Sequence, residues 1–277
     1  MRTIFLCIAT IFIAMSMAVA GEFEDGVEAA ERGDHAMALR TFRLLAAHGD
    51  AKGQNGLGRM YNNGWGVTQD HAQAADWYRM AANQGYASAQ TNLGLLYAKG
   101  RGVGQDYAKA ANLFHKAADQ GEASAQFNLG YVYSIGQGVK QDYTEALKWY
   151  GKSADRGFAL SQYNLGYMYE TGTGVSQDYT EALRCYYRAA GRGLAEAQTN
   201  IGAIYAKGHG VPASNIYAYM WFRLAAAQGH AQAAQNILII KPRMTLDEIE
   251  QAQRQAKNWN PPTEIAPNEY AFPSAGI

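Results

Sequence analysis

The segment ASAQTNLGLLYAKGRGV, residues 87–103, decides the fold, because it returns along the chain at a constant spacing of 36 residues. A fixed period of this size is typical of arrays of small units, each of which must stack on its neighbours to bury its apolar face. The chain is therefore predicted to be an extended repeat protein. Its other units begin with AKGQNGLGRMYNNGWGV at Ala51, ASAQFNLGYVYSIGQGV at Ala123, ALSQYNLGYMYETGTGV at Ala159 and AEAQTNIGAIYAKGHGV at Ala195.

Each unit contains two stretches with helical periodicity, separated by a glycine-rich joint. In the first stretch Gln90, Leu93, Gly94 and Tyr97 share one face at positions i, i+3, i+4 and i+7. The second stretch, which starts at Tyr107, has the same period. Two antiparallel helices per unit follow, so the predicted fold is an all-α, right-handed superhelical solenoid.

The predicted helix ends carry their own signals. In the first four repeats an aspartate stands where the second helix should begin, and its carboxylate can accept hydrogen bonds from the free amides of the first turn. Asp142 with Glu145, and Asp178 with Glu181, also have the D-x-x-E spacing of a capping box. A glycine ends each second helix, where a left-handed residue is needed. These aspartates are Asp70, Asp106, Asp142 and Asp178, and the glycines are Gly85, Gly121, Gly157, Gly193 and Gly229.

A glycine also lies inside every first helix, where it costs about 0.5–1 kcal/mol relative to alanine. Close approach of a neighbouring helix would offset this cost, because two backbones can meet where no side chain intervenes. We therefore predict a helix–helix contact at each of these glycines. They are Gly58, Gly94, Gly130, Gly166 and Gly202.

The N-terminus resembles a secretory signal. Residues 1–20 combine Arg2, an apolar run and the small residues Ala18-Val19-Ala20, so cleavage after Ala20 is predicted. An uncleaved anchor is the alternative, because the uncharged run from Thr3 to Gly21 is nearly long enough to span a bilayer. Cleavage predicts a periplasmic or secreted protein with no membrane insertion.

The rest of the chain divides into four predicted segments. Thr245 and Glu248 have capping-box spacing at the start of a polar helix that would cover the last unit. The proline-rich C-terminus has no helical period and is predicted to be extended. The segments are a shortened helix pair at 21–50, five repeats at 51–230, capping helices at 231–259 and the tail at 260–277.

Composition and motifs disfavour several functions. Lysine plus arginine equals aspartate plus glutamate at 24 each, so no overall charge favours nucleic acid. The six histidines are scattered without metal-ligand spacing, and no metal or other cofactor is predicted. Cys185 is the single cysteine after signal removal and occupies a position that is otherwise tryptophan or leucine. We predict a buried thiol there; a reactive or intermolecular thiol is the alternative.

The helix pattern A-x-x-Q-x-N-L-G-x-x-Y, the G-x-G-V joint and the D-Y-x-x-A helix start together resemble the Sel1-like repeat family, relatives of tetratricopeptide repeats. The resemblance covers about Phe23 to Met244. It implies an adaptor with protein partners, since exported bacterial members are thought to act in envelope assembly, signalling or host contact. Some relatives have been described as penicillin-binding or weakly β-lactamase-like. This chain lacks their cysteine pairs and has no S-x-x-K, S-D-N or K-T-G motif, so no catalytic residue is predicted.

One face of the first helices changes from unit to unit while the packing positions persist. Aromatic residues gather on this face in the middle units, and such side chains are typical interface anchors. We predict a concave groove, centred on Phe127, Tyr131, Tyr163 and Tyr167, that binds a protein or peptide of the envelope. Alternatively, the four rings stack on one another and only stiffen the array. The predicted partner-binding residues are Leu95, Phe127, Tyr131, Tyr163, Tyr167 and Glu170.

The predicted function is therefore a non-enzymatic scaffold or adaptor in the bacterial cell envelope. Two alternatives from other classes remain open. One is a hydrolase directed at cell-wall material or a weak β-lactamase-like enzyme, which turnover of peptidoglycan or a chromogenic lactam would reveal. The other is a secreted host-interaction factor, whose mature form would leave the cell.

Overall fold

The computed structural model describes residues 21–260, and within this range every regular element is helical. The predicted signal sequence, residues 1–20, and residues 261–277 of the predicted tail lie outside the described residues. An all-α repeat fold is thus confirmed. The helices are α1 (21–31), α2 (His35–Ala47), α3 (Ala51–Asn63), α4 (His71–Asn83), α5 (Ala87–Lys99), α6 (Tyr107–Asp119), α7 (Ala123–Ile135), α8 (Tyr143–Asp155), α9 (Ala159–Thr171), α10 (Tyr179–Gly191), α11 (Ala195–Lys207), α12 (Asn215–Ala227), α13 (Ala231–Ile240) and α14 (Leu246–Asn258), with a 3-10 turn at Lys241–Arg243.

The second helix of each repeat begins where the sequence predicts. The carboxylate of Asp106 accepts a hydrogen bond of 2.9 Å from the backbone N–H of Lys109, and Ser214 takes the same role before α12. Left-handed glycines follow the second helices, with φ between +82° at Gly157 and +86° at Gly85. The other three predicted aspartate caps, Asp70, Asp142 and Asp178, each accept from two backbone amides.

The D-x-x-E spacing forms only half of a capping box. Asp142 accepts from the backbone N–H of Glu145, but its own N–H donates to the carbonyl of Tyr133. Because that amide is already bonded, the carboxylate of Glu145 binds Lys148 and Trp149 instead. A reciprocal box is present at Thr245 and Glu248, as predicted.

The environment is described for four of the five predicted glycines, and each of these four lies under an aromatic ring. A Cβ on Gly94 would lie 2.6 Å from Cε1 of Phe114, which is only 1% exposed. The predicted close approach is confirmed. The atoms nearest to an added Cβ belong to the ring at Gly58, Gly94 and Gly166, and at Gly202 the backbone oxygen of Ala218 also lies 3.1 Å away. The absent side chain leaves room for the ring of the paired second helix. The other pairs are Gly58 with Tyr78, Gly166 with Tyr186 and Gly202 with Phe222.

In three repeats a buried glutamine of the first helix is hydrogen-bonded to an exposed glutamine that follows the second helix. Gln120 follows α6 and donates from Nε2 to Oε1 of Gln90 over 2.9 Å. Gln90 in turn donates from its Nε2 to the carbonyl of Ala82 in the preceding repeat. The amide side chain of Gln90 therefore serves both the fold of its own unit and the stacking of that unit on the preceding one. The same glutamine pair recurs as Gln84 with Gln54 and Gln228 with Gln198.

The contacts divide the chain into two compact units. Unit 1 comprises the described residues up to Val132 together with Gly136–Lys140, and unit 2 comprises Tyr133–Ile135 together with the described residues from Gln141 onward. In unit 1, α2 to α6 pack in chain order. In unit 2, α8 to α12 do the same, and α13 and α14 both pack on α12. Trp259 meets Trp221 edge to face at 4.6 Å in the unit 2 core.

Within residues 21–260, no helix combines the length and apolar character needed to cross a membrane.

Candidate partner-binding surface

The predicted partner-binding residues differ in their accessibility. Tyr131 and Tyr167 occupy the same position in successive repeats and are 47% and 51% exposed. Leu95, Phe127, Tyr163 and Glu170 are half-buried. The two exposed tyrosines therefore have accessible surface that a partner could contact.

In unit 1, polar contacts join the first helices next to the predicted residues. Nδ2 of Asn92 donates to Oδ1 of Asn55 over 2.9 Å, which links α5 to α3. Leu95 lies one turn further along α5, and Phe127 and Tyr131 lie on α7. The link fixes the spacing of α3 and α5 without using Leu95.

In unit 2, Tyr163 and Glu170 belong to a hydrogen-bonded cluster. The ring centroids of Tyr163 and Tyr186 are 5.7 Å apart, and the hydroxyl of Tyr186 donates to Oε2 of Glu170 over 2.6 Å. The side chain of Asn200 on α11 is close enough to both tyrosine hydroxyls to act on their pKa values, which it lowers. The cluster joins α9, α10 and α11, so Tyr163 and Glu170 contribute to packing as well as to the surface.

The pKa values of the two tyrosine hydroxyls follow from this cluster. Burial raises the pKa of Tyr163 above its ordinary value, and Glu196, Glu170 and Tyr167 add to the increase. Burial also raises the pKa of Tyr186, and its hydrogen bond to the Glu170 carboxylate raises it further, because a carboxylate stabilises the protonated phenol. Both hydroxyls are thus held neutral as hydrogen-bonding groups.

The structure brings three of the predicted residues together, namely Tyr163, Tyr167 and Glu170. Phe127, Tyr131 and Leu95 lie in unit 1, and a groove that combines both sets stays a prediction. The alternative of stacking among the four rings likewise stays a prediction; the ring on which Tyr163 packs is that of Tyr186.

Sequence analysis missed three residues of this cluster: Tyr186, Glu196 and Asn200. The repeat pattern of the sequence contained a signal for two of these residues, Asn200 and Tyr186. Asn200 is the asparagine of the repeated N-L-G motif, here N-I-G, and Tyr186 stands 20 residues after the helical glycine, where every repeat has an aromatic residue. Glu196 has no counterpart of its kind in the other four repeats and carries no repeat signal.

Two further observations concern metal-ligating and nucleophilic side chains in the described part of the chain. No group of three or more histidine, cysteine, aspartate or glutamate side chains in residues 21–260 could hold a metal ion. Cys185 is 6% exposed, and burial raises its pKa to about 11. The prediction of a buried thiol is confirmed, and a thiol with such a pKa is a poor nucleophile near neutrality.

These features define an all-α helical-repeat protein with an exposed tyrosine on a first helix of each unit. The Sel1 repeat model matches five consecutive segments, residues 51–86, 87–122, 123–158, 159–194 and 195–230. The chain belongs to the Sel1 repeat family.

Solved structures agree with this assignment. A Sel1 repeat protein from Oxalobacter formigenes is 30% identical with a TM-score of 0.74, and the match covers 85% of this chain and 95% of that one. The protein c5321, described as a protective antigen present in uropathogenic Escherichia coli strains, is 29% identical with a TM-score of 0.50, over 87% of this chain and 63% of that one.

A more distant structure shares the fold alone. Immunity protein Pa5087 from Pseudomonas aeruginosa is 19% identical with a TM-score of 0.52, over 88% of each chain. No curated protein matches this chain.

Proposed function

We propose that this protein is a non-enzymatic adaptor that binds a protein partner in the bacterial cell envelope through the exposed face of its first helices. Sel1 repeat proteins generally mediate protein–protein interactions, and their fold typically serves as a scaffold. The observation that carries the proposal is the exposure of Tyr131 and Tyr167, at 47% and 51%. Large exposed rings at equivalent repeat positions are suited to anchor a partner.

The location in the envelope rests on the N-terminal sequence. Residues 1–20 have the anatomy of a cleaved secretory signal. The relationship to c5321, described as a protective antigen, supports an exported location as well. Fractionation of cells, with N-terminal sequencing of the mature chain, tests this part. A chain that keeps residues 1–20 and stays in the cytoplasm would contradict it.

Site-specific photo-crosslinking in intact cells tests the binding role. Benzoyl-phenylalanine placed at Tyr167 should crosslink one identifiable envelope protein, because the side chain there faces outward. The control places the same group at Arg223, an exposed residue of α12. The captured protein, once purified, should bind the native chain and bind the double variant Tyr131→Ala/Tyr167→Ala at least about tenfold more weakly, as hot-spot aromatics do.

The same double variant separates binding from stiffening. Unchanged thermal unfolding with lost binding supports the adaptor. Lost stability with retained binding would assign the tyrosines to packing and defeat the proposal. Release of the mature protein into the medium would favour a secreted host-interaction factor over an envelope adaptor.

A further inference from the structure

Two carboxylates that form no ion pair within residues 21–260 accompany the exposed aromatic ring in unit 2. Glu170 lies three residues after Tyr167 and therefore shares its side of α9. Glu196, an exposed residue in the first turn of α11, lies close enough to Tyr163 to raise the pKa of its hydroxyl. We call the set of Leu160, Tyr163, Tyr167, Glu170 and Glu196 the tyrosine–carboxylate surface.

The two carboxylates lack cationic partners of their own. Among the ion pairs of residues 21–260, none involves Glu170 or Glu196. The sequence of α9 contains no lysine, arginine or histidine, and α11 has its only basic residue, Lys207, at its far end. Eleven residues of helix, about 16 Å, separate Lys207 from Glu196. This surface therefore presents negative charge beside an aromatic ring.

The Glu170 carboxylate is held in place before any partner arrives. Its Oε2 accepts the 2.6 Å hydrogen bond from Tyr186, a residue with 0% exposure. A carboxylate fixed by a buried donor loses little conformational freedom on binding, so its attraction for a cation is not weakened by an ordering cost. The Tyr186 hydroxyl bonds to Oε2 of Glu170 and does not occupy the other carboxylate oxygen, Oε1.

We propose that the tyrosine–carboxylate surface binds an arginine or lysine side chain of the protein partner, with an aliphatic neighbour of that residue on Leu160. The cation would lie over the ring of Tyr167, where the face of the π system attracts positive charge, and beside Glu170 and Glu196. Leu160 is 43% exposed and lies two helical turns before Tyr167 on the same face. This inference rests on the proposed adaptor function and specifies the chemistry of the partner.

A peptide titration tests the cation requirement. The probes are two capped pentapeptides, Ala-Leu-Arg-Leu-Ala and the same peptide with citrulline in place of arginine, which keeps the shape and removes the charge. Each is titrated into the full-length protein and followed by NMR chemical shifts. The arginine peptide should perturb the amides around Tyr167 and Glu170, and the citrulline peptide should bind about tenfold more weakly, as expected when a charged hydrogen bond is replaced by a neutral contact.

The variant Glu170→Gln isolates the charge from the fold. Glutamine retains an acceptor for the Tyr186 hydroxyl, so the packing is preserved while the negative charge is lost. We expect about tenfold weaker binding of the arginine peptide, and a similar loss in Tyr167→Ala. The matched control is Glu250→Gln, which removes one exposed carboxylate from α14 and should leave binding unchanged.

The outcomes distinguish this inference from the adaptor function. Any of three results would overturn the cation site. They are equal binding of the two peptides, binding of the arginine peptide by Glu170→Gln as tight as that by the native protein, and no binding of the arginine peptide at all. A partner that crosslinks at Tyr167 and binds Glu170→Gln with native affinity would leave the adaptor intact and reject the cation site. Absence of any crosslinked partner would instead reject the adaptor.

Discussion

The Oε1 atom of Gln162 and the guanidinium of Arg192 do not meet, although the equivalent side chains of three other repeats are hydrogen-bonded. Gln162 is 2% exposed, and its Oε1 has no hydrogen-bond partner among the described residues. Arg192 occupies the position of Gln84, Gln120 and Gln228, but its guanidinium lies against Gly157 instead. A buried acceptor without a partner destabilises a fold, because its lost hydration is not replaced.

Replacement of Arg192 with glutamine should therefore stabilise the protein. In Arg192→Gln the new amide can donate to Oε1 of Gln162, as Nε2 of Gln120 does to Gln90 over 2.9 Å. We expect the free energy of unfolding to rise by about 1 kcal/mol, measured by urea denaturation. Arg192→Met removes the same charge without supplying a donor and should give no such gain. Equal stabilisation by both variants would show that the charge of Arg192, and not the missing donor, is responsible.

Substitution of glycine by alanine is expected to have opposite effects on stability at two helical positions, Gly94 and Gly151. A Cβ at Gly94 would lie 2.6 Å from Cε1 of buried Phe114, whereas a Cβ at Gly151 in α8 would meet nothing within 4 Å. Gly94→Ala should cost about 1–3 kcal/mol by overpacking, minus a smaller gain in helix propensity. Gly151→Ala should gain about 0.5–1 kcal/mol, since only the propensity changes. Both are measured as shifts in the denaturation midpoint.

A double-mutant cycle checks the cause of the Gly94 effect. Phe114→Leu leaves a smaller side chain opposite position 94, so Gly94→Ala should cost less in that background than in the native protein. If the two costs were equal, the ring of Phe114 would not be the source of the strain.

The helical glycines also show how far sequence reasoning reaches. The 36-residue period predicted the helices and the aspartate caps, because these depend on local spacing and on the chemistry of single residues. It also predicted a close contact at Gly94, but not the ring that makes it, because a period shows which residues share a face and not which neighbour fills the space. The carboxylate of Glu145 had the right spacing for a capping box, yet a distant carbonyl had already used the amide it would have bound.

The binding surface was predictable in part for the same reason. Variation between repeats identified Tyr131 and Tyr167, because an exposed position is free to vary. It could not show that Glu170 also bonds to Tyr186, since the two residues lie 16 apart on different helices and no other repeat has this glutamate–tyrosine combination. Contacts specific to one repeat leave no periodic signal.

The thiol of Cys185 is predicted to be unreactive in the folded protein. Burial raises its pKa to about 11, so almost no thiolate is present at about pH 8. Its reaction with Ellman's reagent should be slow in the native state and fast in denaturant. The Cys185→Ala variant provides the baseline, because Cys7 is the only other cysteine of the chain. A fast native reaction that disappears in this variant would contradict the buried environment.

Burial of the Cys185 thiol also makes the stability of the protein depend on pH in the alkaline range. The folded state holds the Cys185 proton more tightly than the unfolded chain, whose thiol has a pKa of 9.0. The resulting contribution of Cys185 to the free energy of unfolding is fully present below pH 9.0. It is lost as the pH rises toward about 11, because ionisation of the thiol then stabilises the unfolded state. Unfolding free energies of the native protein should fall over this interval more steeply than those of Cys185→Ala. Parallel pH curves would exclude this linkage.

The hydrogen bond from Tyr186 to Glu170 should stabilise unit 2 measurably. Tyr186→Phe keeps the ring above Gly166 and removes only the hydroxyl, so packing is preserved. We expect a loss of about 1–2 kcal/mol, less than for a fully buried charged pair, because the half-buried carboxylate of Glu170 can regain water. The matched control is Tyr78→Phe, since Tyr78 lies over Gly58 in the same way and phenylalanine occupies this position at Phe114.

The control has a clear expectation of its own. Within the described chain, the Tyr78 hydroxyl has no carboxylate partner comparable to Glu170, so Tyr78→Phe should change the unfolding free energy by less than about 0.5 kcal/mol. Equal losses in the two variants would mean that the hydroxyl contributes in the same way at both positions and that the bond to Glu170 adds nothing. A larger loss in Tyr186→Phe, together with weaker binding of a cationic peptide, would show that this bond both stabilises the fold and orients the Glu170 carboxylate.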